Sequence, residues 1–291
     1  MLDYAQLTVP APAKLNLHLS VLDRRPDGFH DIESIFLAVD FCDTLHFLPV
    51  KELKFTDISM KCAYCEDSAL NIPVEKNLIF GALSLFREKT HYYQGFSIKA
   101  EKRIPAGSGL GGGSSNAAAT LLFLNKLAGF PLTFDELLKM AGSLGSDVPF
   151  FIHETAAAKV TGRGECVTPI EAPYRHFVLV NPGFTIDTSA AFRLFDEYRE
   201  HSQITERSGF SNDFLECFNE PEKTVYNTII SELLQMGADF AGLSGSGSTC
   251  FGAFKEKLPA LSAVDGLYGK WKIVKYCGLF TVSHCERQFL Q

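Results

Sequence analysis

The segment GSGLGGGSSNAAA, residues 107–119, concentrates glycine and serine directly before a run of alanines. A glycine loop that leads into a helix brings backbone N–H groups close to an anion, and the helix N-terminus adds partial positive charge. The residues that follow are rich in Ala and Leu and end at Gly129, which predicts such a helix. The segment is therefore typical of a phosphate-binding loop.

This segment differs from three common kinds of phosphate loop. A Walker loop ends in GKS or GKT, whereas this one ends in GSSN, and the strings typical of protein kinases are absent. The letters GxGxxG at Gly107, Gly109 and Gly112 match the dinucleotide fingerprint, which follows a continuously apolar strand. The preceding FSIKAEKRIP instead alternates and carries charges such as Lys99 and Glu101. The sequence therefore disfavours all three kinds.

Strand and helix patterns alternate along the first half of the chain. AKLNLHLSVL has leucines on one face and Lys14, Asn16 and His18 on the other, which predicts a half-buried strand whose polar side chains project together into a cleft. A PDG turn and a second strand pattern follow, which predicts an antiparallel hairpin. A helix is expected from Thr133, where Glu136 completes a capping box.

The order of elements restarts beyond about residue 165. FVLVNPG predicts a buried strand, two helical patterns follow, and FAGLSGSGSTCFGAF predicts a strand, a loop and a strand. Antiparallel strands mixed with helices indicate the α+β class. We expect two domains, residues 1–165 and 166–291, with a cleft between them.

Composition and charge exclude several classes of protein. The 291 residues have a net charge of −7, from 27 basic and 34 acidic residues, and a mean hydropathy near zero. This describes an ordinary globular protein that repels nucleic acid and anionic membranes. No apolar run is long enough to cross a membrane, and the amino terminus lacks the pattern of a signal peptide, so we expect a cytoplasmic protein.

The eight cysteines are scattered, which indicates reduced thiols and not a disulfide framework. Only Cys62 and Cys65, in KCAYC, have the spacing of a metal-binding pair. A structural zinc site needs four ligands, usually from two such pairs, and no second pair exists. Two ordinary thiols are therefore favoured over zinc.

Three motifs together resemble the GHMP kinases, a superfamily of small-molecule kinases. PAGSGLGGGSSNAAA resembles the superfamily's phosphate loop, PAKLNLHL at residues 12–19 resembles its amino-terminal motif, and GLSGSGSTCFGAF at residues 242–254 its carboxy-terminal glycine motif. The resemblance implies a ribosomal-protein-S5-like N-terminal domain, which carries the ATP loop and catalytic residues, and a ferredoxin-like C-terminal domain that closes the cleft. It also implies ATP, with Mg²⁺ whose protein ligands are unknown, in a monomer or homodimer.

RPDGFH, GSDVPFF and TGRGE narrow the resemblance within the superfamily. With PAKLNLHL they are similar to the members that phosphorylate the 2-hydroxyl of 4-diphosphocytidyl-2-C-methyl-D-erythritol, in non-mevalonate isoprenoid precursor biosynthesis. One alternative is a kinase for another small alcohol, such as homoserine or a mevalonate derivative, against which RPDGFH argues. The other is a non-catalytic binding protein of the same fold, against which Lys14 and Asp147 argue.

The resemblance implies that Asp147, in GSDVPFF, is the catalytic base and that Lys14 lies beside it. Taken alone, Asp147 would more often be a turn or N-cap aspartate. A neighbouring lysine would keep the aspartate ionised and would stabilise negative charge in the transition state.

The glycine loop is expected to bind the ATP phosphates through its backbone, and Ser114 and Ser115 also offer hydroxyls to phosphate or Mg²⁺. The loop residues assigned to ATP are Pro105, Ala106, Gly107, Ser108, Gly109, Leu110, Gly111, Gly112, Gly113, Ser114 and Ser115. Asn77 and Lys102 match positions near the adenine in the family. Taken alone, Asn77 is a helix N-cap and Lys102 a solvated charge at a strand end.

The acceptor site is where the chain departs from the family pattern, which is usually RxDGYH, with the tyrosine stacked on cytosine and the histidine bonded to its edge. Phe29 keeps the stacking face but lacks the hydroxyl, and His30 follows it. Phe192 matches a second aromatic that closes on the base, although a helix-core role is the alternative. Thr188 and Asn16 are also expected to contact this substrate.

Overall fold

The computed structural model describes residues 7–64, 72–201 and 209–281. Within these ranges the strands are β1 (Leu7–Arg24), β2 (His30–Val50), β3 (Thr56–Cys62), β4 (Gly95–Lys102), β5 (Ala157–Thr161), β6 (Cys166–Pro169), β7 (His176–Asn181), β8 (Phe240–Leu243), β9 (Cys250–Phe254) and β10 (Ile273–Gly278). The helices are α1 (Leu78–Thr90), α2 (Gly112–Leu127), α3 (Phe134–Leu144), α4 (Val148–Ile152), α5 (Thr188–His201), α6 (Phe214–Cys217), α7 (Glu222–Gln235) and α8 (Lys257–Leu267). The α+β class is confirmed.

The first sheet is organised by β2, which pairs along its length with β1 as the predicted antiparallel hairpin. Its other edge pairs with β5 near one end and with β4 near the other. The remaining strands extend these, because β3 runs parallel to β4 and β6 antiparallel to β5. β1 has register shifts between Pro12 and Ala13 and between Asn16 and His18.

Helices α1 to α4 supply the residues that cover this sheet and bury its main core. The predicted alternation of β4 is confirmed, since Phe96, Ile98 and Ala100 are fully buried. The ring of Phe47 from β2 stacks on Phe123 from α2, with centroids 4.3 Å apart. The capping box of Thr133 and Glu136 is present at the start of α3.

The second sheet is antiparallel, with the order β10-β7-β9-β8, and α5, α7 and α8 contribute to its core. A further cluster joins the two sheets, where Leu15 and Leu17 of β1 pack with Phe177 and Phe251. Because β6 pairs with β5, the chain leaves the first sheet after Pro169, slightly later than the boundary expected between residues 165 and 166. The division into two domains stays a prediction.

One expectation about the cysteines is wrong. Cys62, at the end of β3, is buried and disulfide-bonded, so it is neither a reduced thiol nor a zinc ligand. Cys65 and Cys285 lie outside the described residues. The other cysteines carry reduced thiols, as expected: Cys42, Cys166, Cys217, Cys250 and Cys277. None of the described helices combines the length and apolar character that a membrane span requires.

Candidate active site

A cavity of about 1060 Å³ is lined by β1, the glycine loop, the start of α2, the residues before α4, and the first turns of α5. All predicted site residues line it except Leu110 and Ser115. The structure therefore brings together motifs from both halves of the chain.

The glycine loop is shaped by backbone conformations that favour glycine. Gly107, Gly109 and Gly111 have φ values of 59°, 77° and 68°, in the left-handed region. A Cβ on Gly109 would lie 1.9 Å from the carbonyl oxygen of Ser244, so another part of the chain occupies that space. Gly111 is the N-cap of α2 and provides no side-chain cap. The first N–H groups of α2 are thus left for an anion.

The loop is held by the second glycine segment, between β8 and β9. The hydroxyl of Ser244 donates to the carbonyl of Gly109 at 2.9 Å and accepts from the N–H of Asn16 at 3.3 Å. The N–H of Thr249 donates to the carbonyl of Ser108 at 3.1 Å. Three motifs that are far apart in sequence therefore meet around the cavity.

Not every loop residue faces the cavity as expected. Leu110 is buried in the cluster between the sheets. Ser115 is 1% exposed, and its hydroxyl has no hydrogen-bond partner among the described residues. The N–H of Ala106 donates to the Tyr64 hydroxyl at 3.0 Å, and Pro105 has no N–H. The backbone donors left for phosphate therefore lie later in the loop.

Lys14 and Asp147 form an ion pair beside the loop. The Nζ of Lys14 lies 3.6 Å from Oδ2 of Asp147, donates to Oδ1 of Asn16, and lies 4.9 Å from the ring centroid of Phe36. Burial lowers the pKa of Lys14, and the charge of Asp147 opposes that shift. Asp147 precedes α4 but makes no side-chain capping bond, so capping does not explain its position.

The polar face of β1 is interrupted. Asn16 lines the cavity and donates from Nδ2 to the hydroxyl of Ser34 at 3.0 Å. The register shift that follows places His18 elsewhere, where its Nδ1 accepts from the N–H of Ser211 at 3.2 Å. The prediction that these polar side chains project into one cleft is therefore correct for Lys14 and Asn16 but wrong for His18.

Lys102 is buried, so the description of a solvated strand-end charge is wrong. Its ammonium pairs with the carboxylate of Asp43 and donates to Oδ1 of Asn116 at 2.7 Å. Asp43 is fully buried and also accepts from the N–H groups of Arg103 and Ile104 at 2.7 and 2.9 Å. Burial lowers the pKa of Lys102, whereas Asp43 acts to raise it.

The other end of the cavity holds aromatic residues. Phe29 is 51% exposed, and the guanidinium of Arg163 lies 4.9 Å from its ring centroid. His30 is buried, stacks on Phe192 with centroids 5.1 Å apart, and has its Nε2 2.8 Å from Oδ1 of Asp196. Phe192 is thus both part of the second core and a cavity residue.

Asn77 and Thr188 both make contacts within the protein, and their contacts with ligands stay predictions. Asn77 caps α1, since its side chain accepts from the N–H of Ile79 at 3.0 Å, and it also lines the cavity. The hydroxyl of Thr188 lies 3.1 Å from that of Ser246 in the second glycine segment.

Several cavity residues were given no role in the sequence analysis. Ser246, Arg163 and Asn116 lie inside motifs that the sequence analysis quotes, so those motifs were a usable signal. Asp196 belongs to none of those motifs. Asp43 is not among the cavity residues but holds Lys102, and none of the quoted motifs contains it.

Comparison with known proteins gives a consistent result. The family models "GHMP kinases N terminal domain" and "GHMP kinases C terminal" match residues 77–155 and 193–272. A 4-diphosphocytidyl-2-C-methyl-D-erythritol kinase from Nitrosococcus oceani is 34% identical over 95% of this chain and 96% of its own. The enzyme of the same name from Ralstonia pickettii is 37% identical over 90% of each chain.

A solved structure agrees with these relatives. The crystal structure of a 4-(cytidine 5'-diphospho)-2C-methyl-D-erythritol kinase superposes with a TM-score of 0.74. It is 29% identical and covers 94% of this chain and 99% of its own.

Proposed function

The chain belongs to the GHMP kinases, and we propose that it transfers the γ-phosphoryl group of ATP to the 2-hydroxyl of 4-diphosphocytidyl-2-C-methyl-D-erythritol. This reaction is a step in non-mevalonate isoprenoid precursor biosynthesis. The observation that carries the proposal is one cavity that joins the Lys14–Asp147 pair, the glycine loop and the RPDGFH residues. Relatives named for this activity match nearly the whole chain.

The transfer needs a proton acceptor and positive charge near the moving phosphoryl group. Asp147 accepts the proton of the attacking hydroxyl through its carboxylate, which is 30% exposed on the cavity side. Lys14 is held beside it by Asn16 and lies against the backbone of Gly111, so its ammonium faces both reactants. The pair thereby activates the hydroxyl and stabilises charge in the transition state.

ATP occupies the cavity along the glycine loop. The uncapped start of α2 offers N–H groups to its phosphates, and Lys102 adds positive charge beneath Gly112. Asn77 lies at the adenine end in this arrangement.

The residues that line the cavity fit a Mg²⁺ ion coordinated mainly by the triphosphate and by water. In the described ranges no three His, Cys, Asp or Glu side chains are grouped to hold a metal ion. Mg²⁺ in kinases usually takes only one or two protein ligands, and the hydroxyl of Ser114 lines the cavity at the start of α2. Ser114 would hold the ion, which would neutralise phosphate charge when bound.

The acceptor's cytosine occupies the end with Phe29, His30 and Phe192, and Thr188 and Asn16 contact the same substrate. Phe29 offers a stacking face without a hydroxyl, and His30 offers a hydrogen bond to the base edge. RPDGFH is the feature that favours this acceptor over homoserine or a mevalonate derivative.

The partners in this proposal are two small molecules. The net charge of −7 disfavours nucleic acid and anionic membranes as partners. We expect the enzyme to work in the cytoplasm as a monomer or homodimer, with its active site between the two proposed domains.

An ADP-release assay tests the function directly. The purified protein is given ATP and Mg²⁺ with the cytidylyl substrate, homoserine or mevalonate in parallel. We expect turnover with the cytidylyl substrate only. A preference for either other acceptor would overturn the substrate assignment, and no ADP release with any of them would favour a non-catalytic binding protein.

A further inference from the structure

We propose that Asp196 is a positioning residue that fixes the tautomer of His30, so that the enzyme distinguishes cytosine from uracil. This inference rests on the proposed function, because it assigns Asp196 a role in reading the base of the acceptor. Asp196 lies 166 residues from His30 along the chain, and only the fold brings them together.

The contact determines which ring nitrogen carries the hydrogen. Nε2 of His30 lies 2.8 Å from Oδ1 of Asp196. An ionised carboxylate only accepts hydrogen bonds, so Nε2 is the donor, and in a neutral imidazole Nδ1 then has a lone pair. Within the described ranges no protein group forms a hydrogen bond with Nδ1. His30 lines the cavity, so this acceptor is left for a ligand.

Helix α5 also fixes the orientation of the ring. Phe192, one helical turn before Asp196, stacks on the imidazole with an interplanar angle of 14°. Phe195 meets the same ring edge-on, with centroids 6.1 Å apart and an angle of 85°. Rotation of the ring would break the bond to Asp196 and lose the stacking. One helix therefore holds His30 by its face, its edge and one nitrogen.

A fixed lone pair at Nδ1 selects between the two pyrimidine bases. Cytosine carries an amino group at position 4, which donates, whereas uracil carries an oxygen there, which accepts. The amino group satisfies the lone pair, while the oxygen of uracil would face it and repel it. With the opposite tautomer the preference would reverse. The carboxylate of Asp196 thus determines which base is accepted.

The ion pair between Asp196 and Arg24 does not account for the contact between Asp196 and His30. Arg24 also forms an ion pair with Asp196, with its Nη1 3.8 Å from Oδ2 and its side chain 64% exposed. Ion pairs with such exposure contribute little to stability. Arg24 approaches Oδ2, whereas His30 is bonded to Oδ1, so the two contacts are separate.

The test compares Asp196→Ala with Glu197→Ala. Glu197 is the next residue on α5, carries the same charge, is exposed and does not line the cavity, so it is a matched control. ¹⁵N NMR of histidine-labelled protein, with the His30 signals identified from a His30→Ala sample, reports the tautomer. Kinetics are measured with the cytidylyl substrate and with its uridylyl counterpart.

We expect the wild type and Glu197→Ala to show the hydrogen on Nε2 of His30, and Asp196→Ala to show a mixture of tautomers. The KM for the cytidylyl substrate should rise by on the order of tenfold to a hundredfold in Asp196→Ala, while the KM for ATP stays constant. The preference for cytosine over uracil should fall by a similar factor.

Unchanged tautomer, KM and base preference in Asp196→Ala would overturn the inference, as would an equal loss in Glu197→Ala. The proposed function fails separately, if the wild type does not turn over the cytidylyl substrate at all. In that case the NMR comparison still shows whether Asp196 sets the His30 tautomer. A mixture of tautomers in the wild type would refute that role of Asp196.

Discussion

Replacing Asp43 tests how the buried charge under the glycine loop is stabilised. Asp43→Asn keeps one oxygen for the N–H groups of Arg103 and Ile104 but removes the negative charge opposite Lys102. Removing one partner of a buried ion pair commonly destabilises a protein by about 3–5 kcal/mol. Because both side chains are at most 5% exposed, solvent cannot replace the lost partner.

Two features of the structure place the expected loss near the lower end of that range, at about 3 kcal/mol. The backbone hydrogen bonds to residue 43 survive in the variant. Burial already lowers the pKa of Lys102, so without Asp43 the lysine can lose its proton and escape part of the penalty. The free energy of unfolding from urea titration at pH 7 measures the loss.

The pH dependence of the loss identifies its cause. Without Asp43 the pKa of Lys102 falls further in the folded state, while the unfolded value stays ordinary. Between those two values the unfolded chain binds more protons, so the free energy of unfolding of the variant rises with pH. The difference from wild type should therefore shrink between pH 7 and pH 10. Adding Lys102→Met, which removes the unpaired ammonium, should recover part of the stability at pH 7.

The exposed pair Lys99–Glu101 on the same strand provides the control, because its side chains are 50% and 36% exposed. Glu101→Gln should change the free energy of unfolding by less than about 1 kcal/mol. If Asp43→Asn lost no more than this control, and if its loss did not depend on pH, the buried pair would not stabilise the fold as argued.

Asp147→Asn and Lys14→Ala should each lower kcat by roughly 10²-fold or more in folded protein, and near wild-type turnover would remove the assigned role. Asp147→Asn also removes the negative charge that counteracts the lowering of the Lys14 pKa by burial. The pKa of Lys14 should therefore fall in NMR titration of labelled lysines, and a rise would contradict the pairing. Gly109→Ala should raise the KM for ATP and destabilise by at least ~1 kcal/mol, whereas Gly129→Ala, with φ also positive but open space around it, should leave ATP binding unchanged. His30→Ala should raise the KM for the cytidylyl substrate far more than that for ATP, and equal effects would exclude base recognition.

Local patterns predicted much of this fold, and their failures have identifiable causes. The hairpin of β1 and β2, the alternation of β4 and the capping box of α3 depend on neighbouring residues, so the sequence contains them. The position of His18 depends on a register shift in β1, which changes the pairing with β2 beyond Asn16. No residue type in AKLNLHL marks that shift, because the partner strand defines it.

Motifs in the sequence indicate the candidate site, but they do not include all the residues that position its side chains. The glycine loop, Lys14 and Asp147 are local strings that resemble a family. Asp196 acts only through His30, which is 166 residues away, and a single acidic residue on an amphipathic helix has many ordinary explanations. Such positioning residues become visible only once the fold has brought their partners to them.

The pair of Asp43 and Lys102 lies between features that local patterns predict and features that only the fold reveals. Lys102 follows Phe96, Ile98 and Ala100 in the same two-residue alternation, so the pattern of β4 already placed it on the buried face. Asp43 is in the same phase as the buried Leu45, which pairs with Ala100, so the register continues to Asp43 opposite Lys102. Each residue alone is a charged side chain at a position where the alternation predicts a buried apolar one. Only the register between the strands shows that the two charges neutralise each other. Because Asp43 also binds the first N–H groups after β4, this pair fixes where the strand ends and the phosphate loop begins.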